Sequence, residues 1–317
     1  MKFKNSLFIL SFFLFLLNYG CKKDEKTDEN AARMQTFIAD ISVYAKGLNP
    51  DFIIIPQNGI ELAFNFTDPS EGINSLYINA IDGFGVEELF YDGKLSVDNE
   101  ILGMLCTLKS SKTILVSDYV SNSENISDAV LRSKNEDFIA FPRSSDNYHY
   151  QKIPTSNPTD ENANDINTLA DAKNYLYLIS TDEFTDKQTM LNAINATNYD
   201  IVLIDLFFDE IALTSSEIQS LKTKANGGKR LIISYINIGA AENWRYYWKS
   251  GWKKGNPSWL KKKYENYGDE IWVQFWHQEW QQIIFGNNDS YIKKIIDANF
   301  DGAYLDNVEA YYFLIND

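Results

Sequence analysis

The 317-residue chain carries 44 acidic against 29 basic side chains, a formal net charge of −15, and 15% of its residues are aromatic. That balance argues against nucleic-acid backbones and anionic membrane surfaces as partners and leaves neutral or cationic ligands open. Cysteine occurs only at Cys21 and Cys106, so no disulfide framework is expected and the fold must rest on its hydrophobic core.

Lys2 and Lys4 precede an apolar run from Leu7 to Leu17 that is too short to span a bilayer. The Gly20-Cys21 pair behind it resembles the processing site of a bacterial lipoprotein. On that reading residues 1–21 are a signal peptide, Cys21 is lipidated, and 22–31 form a charged, flexible tether. The protein would then be exported, anchored to the outer membrane through its lipid alone, with 32–317 as one domain. An ordinary signal peptide cut nearby, or an uncleaved anchor, is the alternative.

Met34, Phe37, Ile38, Ile41 and Ala45 recur at helical spacing, and Gly47 with Pro50 can end that helix. Strand-like apolar runs follow at "FIIIP" (52–56), "SLYINAI" (75–81), "TILVSDY" (113–119), "YLYLI" (175–179), "DIVLIDLFF" (200–208), "RLIISYINIG" (230–239), "WVQFW" (272–276) and "GAYLDNV" (302–308), with "DFIAFP" (137–142) as a further candidate. Several are apolar without alternation, as strands buried on both faces of a parallel sheet are. Between them lie helix signals: Thr214 and Glu217 form a capping-box pattern, Ile218, Leu221 and Ala225 share a face, and Tyr291, Ile295 and Ala298 form another stripe. Strand and helix in alternation, with eight strands, predict an α/β fold of (β/α)₈ TIM-like type. "GFGVEE" (83–88) does not complete a dinucleotide fingerprint, which disfavours an open doubly wound sheet. The polar stretch 154–173 interrupts the rhythm.

Barrel enzymes place chemistry at strand exits. Here those exits carry Gln57 and Asn58, Asp82 with Glu87 and Glu88, Asp118 and Tyr119, Asp205, Glu242 with Arg245, Trp276, and Asp306 with Glu309. The two histidines, His149 and His277, lie far apart, and no zinc signature, Ser/His/Asp set or phosphate-cradling loop can be drawn. No metal or cofactor is expected. Carboxylates among amides and aromatics suit glycosidic cleavage, in which one carboxyl protonates the leaving oxygen and another attacks the sugar or activates water.

"RLIISYINIGAAENWRYYW" (230–248), "PSWL" (257–260), "WVQFWHQEWQQII" (272–284) and "FDGAYLDNVEAYYF" (300–313), with "FIIIPQNG" and "AIDGFGVEELFYDG" (80–93), resemble glycoside hydrolase family 114, the endo-α-1,4-polygalactosaminidase-like barrels. The resemblance implies a TIM-like barrel acting on a galactosamine-containing polysaccharide. It also implies a circular permutation, because the "IIPQNG" and "IDG" motifs, which follow the "YLD" strand in the usual family order, here come first. Residues 154–173 would be the join, and the strand at 303–308 should pair in parallel with the one at 52–56. Ala240 stands where the family pattern has an acid, Asn307 where bacterial relatives have an apolar residue, and Tyr304 where fungal relatives have Glu.

Asp306, Asp205 and Glu242 are the candidate catalytic acids, two of which would act; the bland readings are a loop cap for Asp205 and an ion pair with Arg245 for Glu242. Gln57, Asn58, Asp82, Glu87, Asp118, Tyr119, Tyr235, Arg245, Trp276 and Glu309 are candidate substrate contacts, against turn chemistry for Asn58 and core packing for the aromatics. The expected protein is a monomeric glycosidase acting on a partly deacetylated, cationic polymer. A glycan-binding surface lipoprotein with a degenerate barrel site is the alternative.

Overall fold

The computed structural model describes residues 6–265 and 267–315, without the side chains of residues 6–25. The signal-peptide and Cys21 readings therefore fall outside the described side chains. Residues 22–31, expected as a tether, belong to the helix Ser6–Leu48, in which Asn30 and Ala31 are already buried. The predicted stripe of Met34, Phe37, Ile38, Ile41 and Ala45 is the face this helix buries completely. Among the described residues no helix is long and apolar enough to cross a membrane.

Eight strands run parallel: β1 (Ile53–Pro56), β2 (Gly83–Leu95), β3 (Thr113–Val120), β4 (Ile139–Ala140), β5 (Tyr175–Leu178), β6 (Ile201–Asp205), β7 (Leu231–Asn237) and β8 (Gly302–Asp306). One sheet has the order β5-β6-β7-β8-β1 and the other β2-β3-β4. The last strand pairs with the first, Gly302 opposite Ile53 through Leu305 opposite Pro56, which is the expected parallel pairing. Between β1 and β2 the backbone is joined at both ends, Asp82 N–H to the Ile54 carbonyl at 2.9 Å and Asn58 N–H to the Gly85 carbonyl at 2.8 Å.

No ladder joins β4 to β5 among the described residues. That gap is spanned instead by rings, Phe141 against Tyr175 at 5.5 Å and Tyr150 stacked on Tyr177 at 3.8 Å. The expected eight-stranded ring is thus found as a mixed α/β fold with two parallel sheets, and its hydrogen bonding is not continuous.

Two of the predicted strands are something else. "SLYINAI" forms the helix Ser75–Ala80, capped by Asn74, whose Oδ1 accepts the Tyr77 N–H at 3.1 Å. A short apolar run does not distinguish a buried strand from one helical turn. The strand of that repeat is β2, which its two glycines and the "EE" pair disguised. "WVQFW" contributes to Glu270–Val273, the middle strand of an antiparallel three-stranded sheet with Ala240–Glu242 and Leu260–Lys263. The polar stretch 154–173, expected as the join, contains only the short turn Leu169–Asp171. It is fixed where Asn162 bonds Asp200 and Lys224, whose ion pair at 2.8 Å has no solvent access on either side chain.

Gly85 shows how tightly the interior is filled: a Cβ there would lie 1.8 Å from the Tyr304 hydroxyl. Gly85→Ala must displace the buried Tyr304 ring, and overpacking of this kind costs about 1–3 kcal/mol or more. A denaturant melt is expected to show the loss, and an unchanged midpoint would contradict the close approach.

Candidate active site

The exits of the parallel strands surround a cavity of about 840 Å³. Gln57 and Asn58 reach it from β1, Glu87 from β2, Asp205 from β6, Tyr235 from β7, and Asp306, Asn307 and Glu309 from β8 and the turn behind it. Glu242 and Arg245 enter just after β7, and Glu270 from the antiparallel sheet. Parallel alignment is what brings these distant stretches together, since every strand then ends at the same face.

Asp306 lines the cavity, half-buried. Its Oδ2 accepts the Tyr235 hydroxyl at 2.6 Å, and its Oδ1 accepts the Asn307 N–H at 2.7 Å. Burial pushes the carboxyl up to about 7; the Tyr235 bond opposes the rise, and the charges of Glu87 and Glu242 add to it. Asn307 has φ 59°, a left-handed conformation that Asn tolerates better than an apolar side chain does. Glu309 is also raised to about 7, by burial first and Asp306 second.

Asp205 and Glu242 share one guanidinium. Arg245 donates to both Asp205 oxygens, at 2.9 and 2.6 Å, and to both Glu242 oxygens, at 2.6 and 3.1 Å. All three side chains are buried. Burial raises Glu242 above the usual carboxylate range, and Arg245 pulls it back. A bidentate clamp of this kind fixes two carboxylates in place and neutralises part of their charge. Across the cavity Arg143 repeats the arrangement, donating to Glu87 at 2.9 Å and to Glu88 at 2.8 Å while Tyr150 also bonds Glu87. Gln57 accepts the Tyr177 hydroxyl at 3.0 Å, and Asn58 Oδ1 accepts the Glu87 N–H at 3.1 Å.

Four predicted contacts lie elsewhere. Asp82 precedes β2 instead of following a strand, so it sits at the opposite end of the sheet, where it pairs with Lys46 at 3.0 Å and accepts the Ile54 N–H. Asp118 plugs a register shift in β2, its Oδ1 accepting the N–H groups of Phe90 and Tyr91 at 2.9 and 3.2 Å. Tyr119, one position on, bonds Ser145 and lies outside the cavity lining, its ring centroid 6.0 Å from the Arg143 guanidinium carbon. Trp276 follows an antiparallel strand and stacks under Arg33 of the first helix, 4.5 Å from ring centroid to guanidinium carbon. His277 caps the helix Gln278–Ile284, accepting the Glu279 N–H.

Glu270, Arg143, Tyr150, Tyr177, Tyr264 and Tyr267 line the cavity without having been singled out from sequence. Arg143 directly follows "DFIAFP", so treating that run as a strand exit would have found it. Glu270 had no such signal. Among the described residues no group of three or more His, Cys, Asp or Glu side chains is arranged to hold a metal ion.

Comparison with known proteins adds a family. The sequence model of glycoside-hydrolase family GH114 matches residues 156–317, just over half of the chain. An uncharacterized protein of Deinococcus radiodurans is 33% identical over 124 residues, covering 39% of this chain and 38% of the relative. Uncharacterized proteins of Thermotoga maritima and Methanocaldococcus jannaschii are 30% and 36% identical over 120 and 126 residues, or 38% and 39% of this chain. The match spans only 34 to 38% of the length of these relatives.

Proposed function

Because this chain belongs to glycoside hydrolase family 114, we propose that it hydrolyses a galactosamine-type polysaccharide by carboxylate acid/base catalysis. The observation that carries the reading is the single cavity in which Asp306, pushed up to about 7, faces other buried acids. Such a carboxyl can cycle its proton near neutral pH, as this reaction demands. In the ionised form Asp306 is held by the Tyr235 hydroxyl and the Asn307 N–H, which suits it to attack the anomeric carbon or to activate water. Asp205 and Glu242, engaged on all four oxygens by Arg245, serve better as a fixed charged wall that orients sugar hydroxyls than as proton carriers. Gln57, Asn58, Glu87, Tyr235 and Glu309 complete the lining, and the excess of lining acids over the two arginines Arg143 and Arg245 favours a polymer with free amines.

The fold reading extends in the same way. The eight parallel strands form a barrel closed between β4 and β5 by packed rings, with strand order permuted about the join at 154–173. The family match beginning at residue 156 supports that division. Export and lipidation at Cys21 place the barrel on the bacterial outer membrane.

Incubation of the full chain with partly deacetylated α-1,4-galactosamine polymer tests the activity. New reducing ends are the expected result. Retention of polymer on the protein without turnover would replace the hydrolase with a glycan-binding protein.

A further inference from the structure

Glu270 reaches the cavity by a route that the parallel strands do not provide. It opens the middle strand of the antiparallel sheet, opposite Glu242 in register, and it is buried. Its Oε2 accepts Asn237 Nδ2 at 3.2 Å. The orientation of that amide is fixed, because Asn237 Oδ1 already accepts the N–H groups of Gly239 and Ala240 at 3.2 and 2.8 Å. Only the NH₂ end is left to face Glu270. Oε1 has no hydrogen-bond partner among the described residues. Asn237 stands opposite Asp306 in the β7–β8 ladder, so one amide ties the insert's acid to the strand pair that presents the cavity's central carboxylate.

We infer that Glu270 is the proton donor of the hydrolysis, carrying its proton on Oε1. The inference rests on the hydrolase reading above and assigns a catalytic role within it. The charged and titratable groups facing Glu270 are Glu242 from the neighbouring strand, Asp306 from β8, Tyr235 from β7, Arg245, and Tyr264 and Tyr267 from its own insert. Burial, then Glu242 and Asp306, push Glu270 up to about 8, against the Asn237 bond and Arg245. The carboxyl therefore keeps its proton at neutral pH while Asp306 is losing its own.

In the reaction the glycosidic oxygen takes the Glu270 proton and keeps the electron pair of the breaking bond to the anomeric carbon. That carbon ends bonded to the oxygen of a water molecule. In direct displacement the water's proton goes to Asp306; in a two-step course through an Asp306 ester it returns to Glu270. One water is consumed either way.

The test compares Glu270→Gln with the unaltered chain on two probes, α-1,4-galactosamine polymer and a dinitrophenyl glycoside of a galactosamine oligosaccharide. A dinitrophenolate leaves without protonation, so only the polymer needs the donor. Measured as kcat/KM, which reports the step that breaks the glycosidic bond, the polymer reaction is expected to fall about 10²–10⁴-fold, while the aryl glycoside reaction stays within about tenfold. The alkaline limb of the polymer pH profile should vanish with the donor. Glu270→Asp, which keeps an acid on a shorter arm, should retain more polymer activity than the Gln variant. Equal loss on both probes, or full polymer activity in Glu270→Gln, would overturn the assignment and leave the hydrolase reading standing. An unaltered chain inert on both probes would remove that reading and this inference with it.

Discussion

Asp306→Asn is expected to abolish polymer cleavage and, at pH 8, to raise the melting temperature. The activity loss follows from removing a cavity acid that the Tyr235 hydroxyl and the Asn307 N–H hold in its ionised form, and should reach about 10²–10⁴-fold or more. The stability gain follows from linkage. Asp306 titrates near 7 when folded and near 4 when unfolded. Between those values the folded chain holds a proton that the unfolded chain has released, so this group stabilises the fold below about pH 4 and loses that contribution as pH rises through about 7. Glu309, near 7, and Glu270, near 8, act in the same sense. The unaltered protein should therefore melt at a higher temperature at pH 5 than at pH 8. An Asn amide, neutral throughout, removes the cost at Asp306: its oxygen can keep the Asn307 N–H while its NH₂ meets the Tyr235 hydroxyl, which accepts as well as donates. The two proteins should differ at pH 8 and converge near pH 5. A variant less stable than its parent at both pH values would mean that the carboxyl is not under the strain its burial implies.

Arg245→Met should be the most destabilising of the cavity substitutions. It leaves Asp205 and Glu242 as two buried carboxylates with no counter-ion, and breaking a buried pair from one side costs about 3–5 kcal/mol. The loss should shrink in acid, where protonation of the stranded carboxyls relieves it. Adding Asp205→Asn and Glu242→Gln to Arg245→Met should restore much of the stability at pH 7 without restoring turnover. Differential scanning calorimetry of the single and triple variants decides the matter. A single variant that melts within a degree or two of its parent would show that water, not Arg245, neutralises the pair.

What the sequence made legible was whatever depended on one strand at a time. "DIVLIDLFF", "RLIISYINIG" and "GAYLD" are apolar on both faces because they lie within parallel sheets, and their exits deliver Asp205, Tyr235 and Asp306 to the cavity. β2 was hidden because Gly83, Gly85, Glu87 and Glu88 weaken its apolar signal, although each is needed: a Cβ on Gly83 would lie 2.6 Å from the Thr113 carbonyl oxygen, Gly85 admits the Tyr304 ring, and both acids meet Arg143. Misplacing that strand moved Asp82 to the wrong end of the sheet. Trp276 and Glu270 exchanged roles for a related reason, since an antiparallel strand puts its beginning at the mouth that parallel strands reach with their ends. Arg245 meets Glu242 three positions away, as the spacing allowed, but its bond to Asp205 and the bonds of Arg143 to Glu87 and Glu88 span 40 to 56 residues, relations no local pattern encodes.

The sealed Lys224–Asp200 pair has a use at the bench. An amine with no solvent access, held by Asp200 and Asn162, cannot meet an acylating reagent until the segment covering it lifts away. Mass-spectrometric tracking of that one lysine during graded acylation would clock the lifting of the stretch around Asn162 from the sheet behind it. Lysines on the surface would react at once and supply the internal standard.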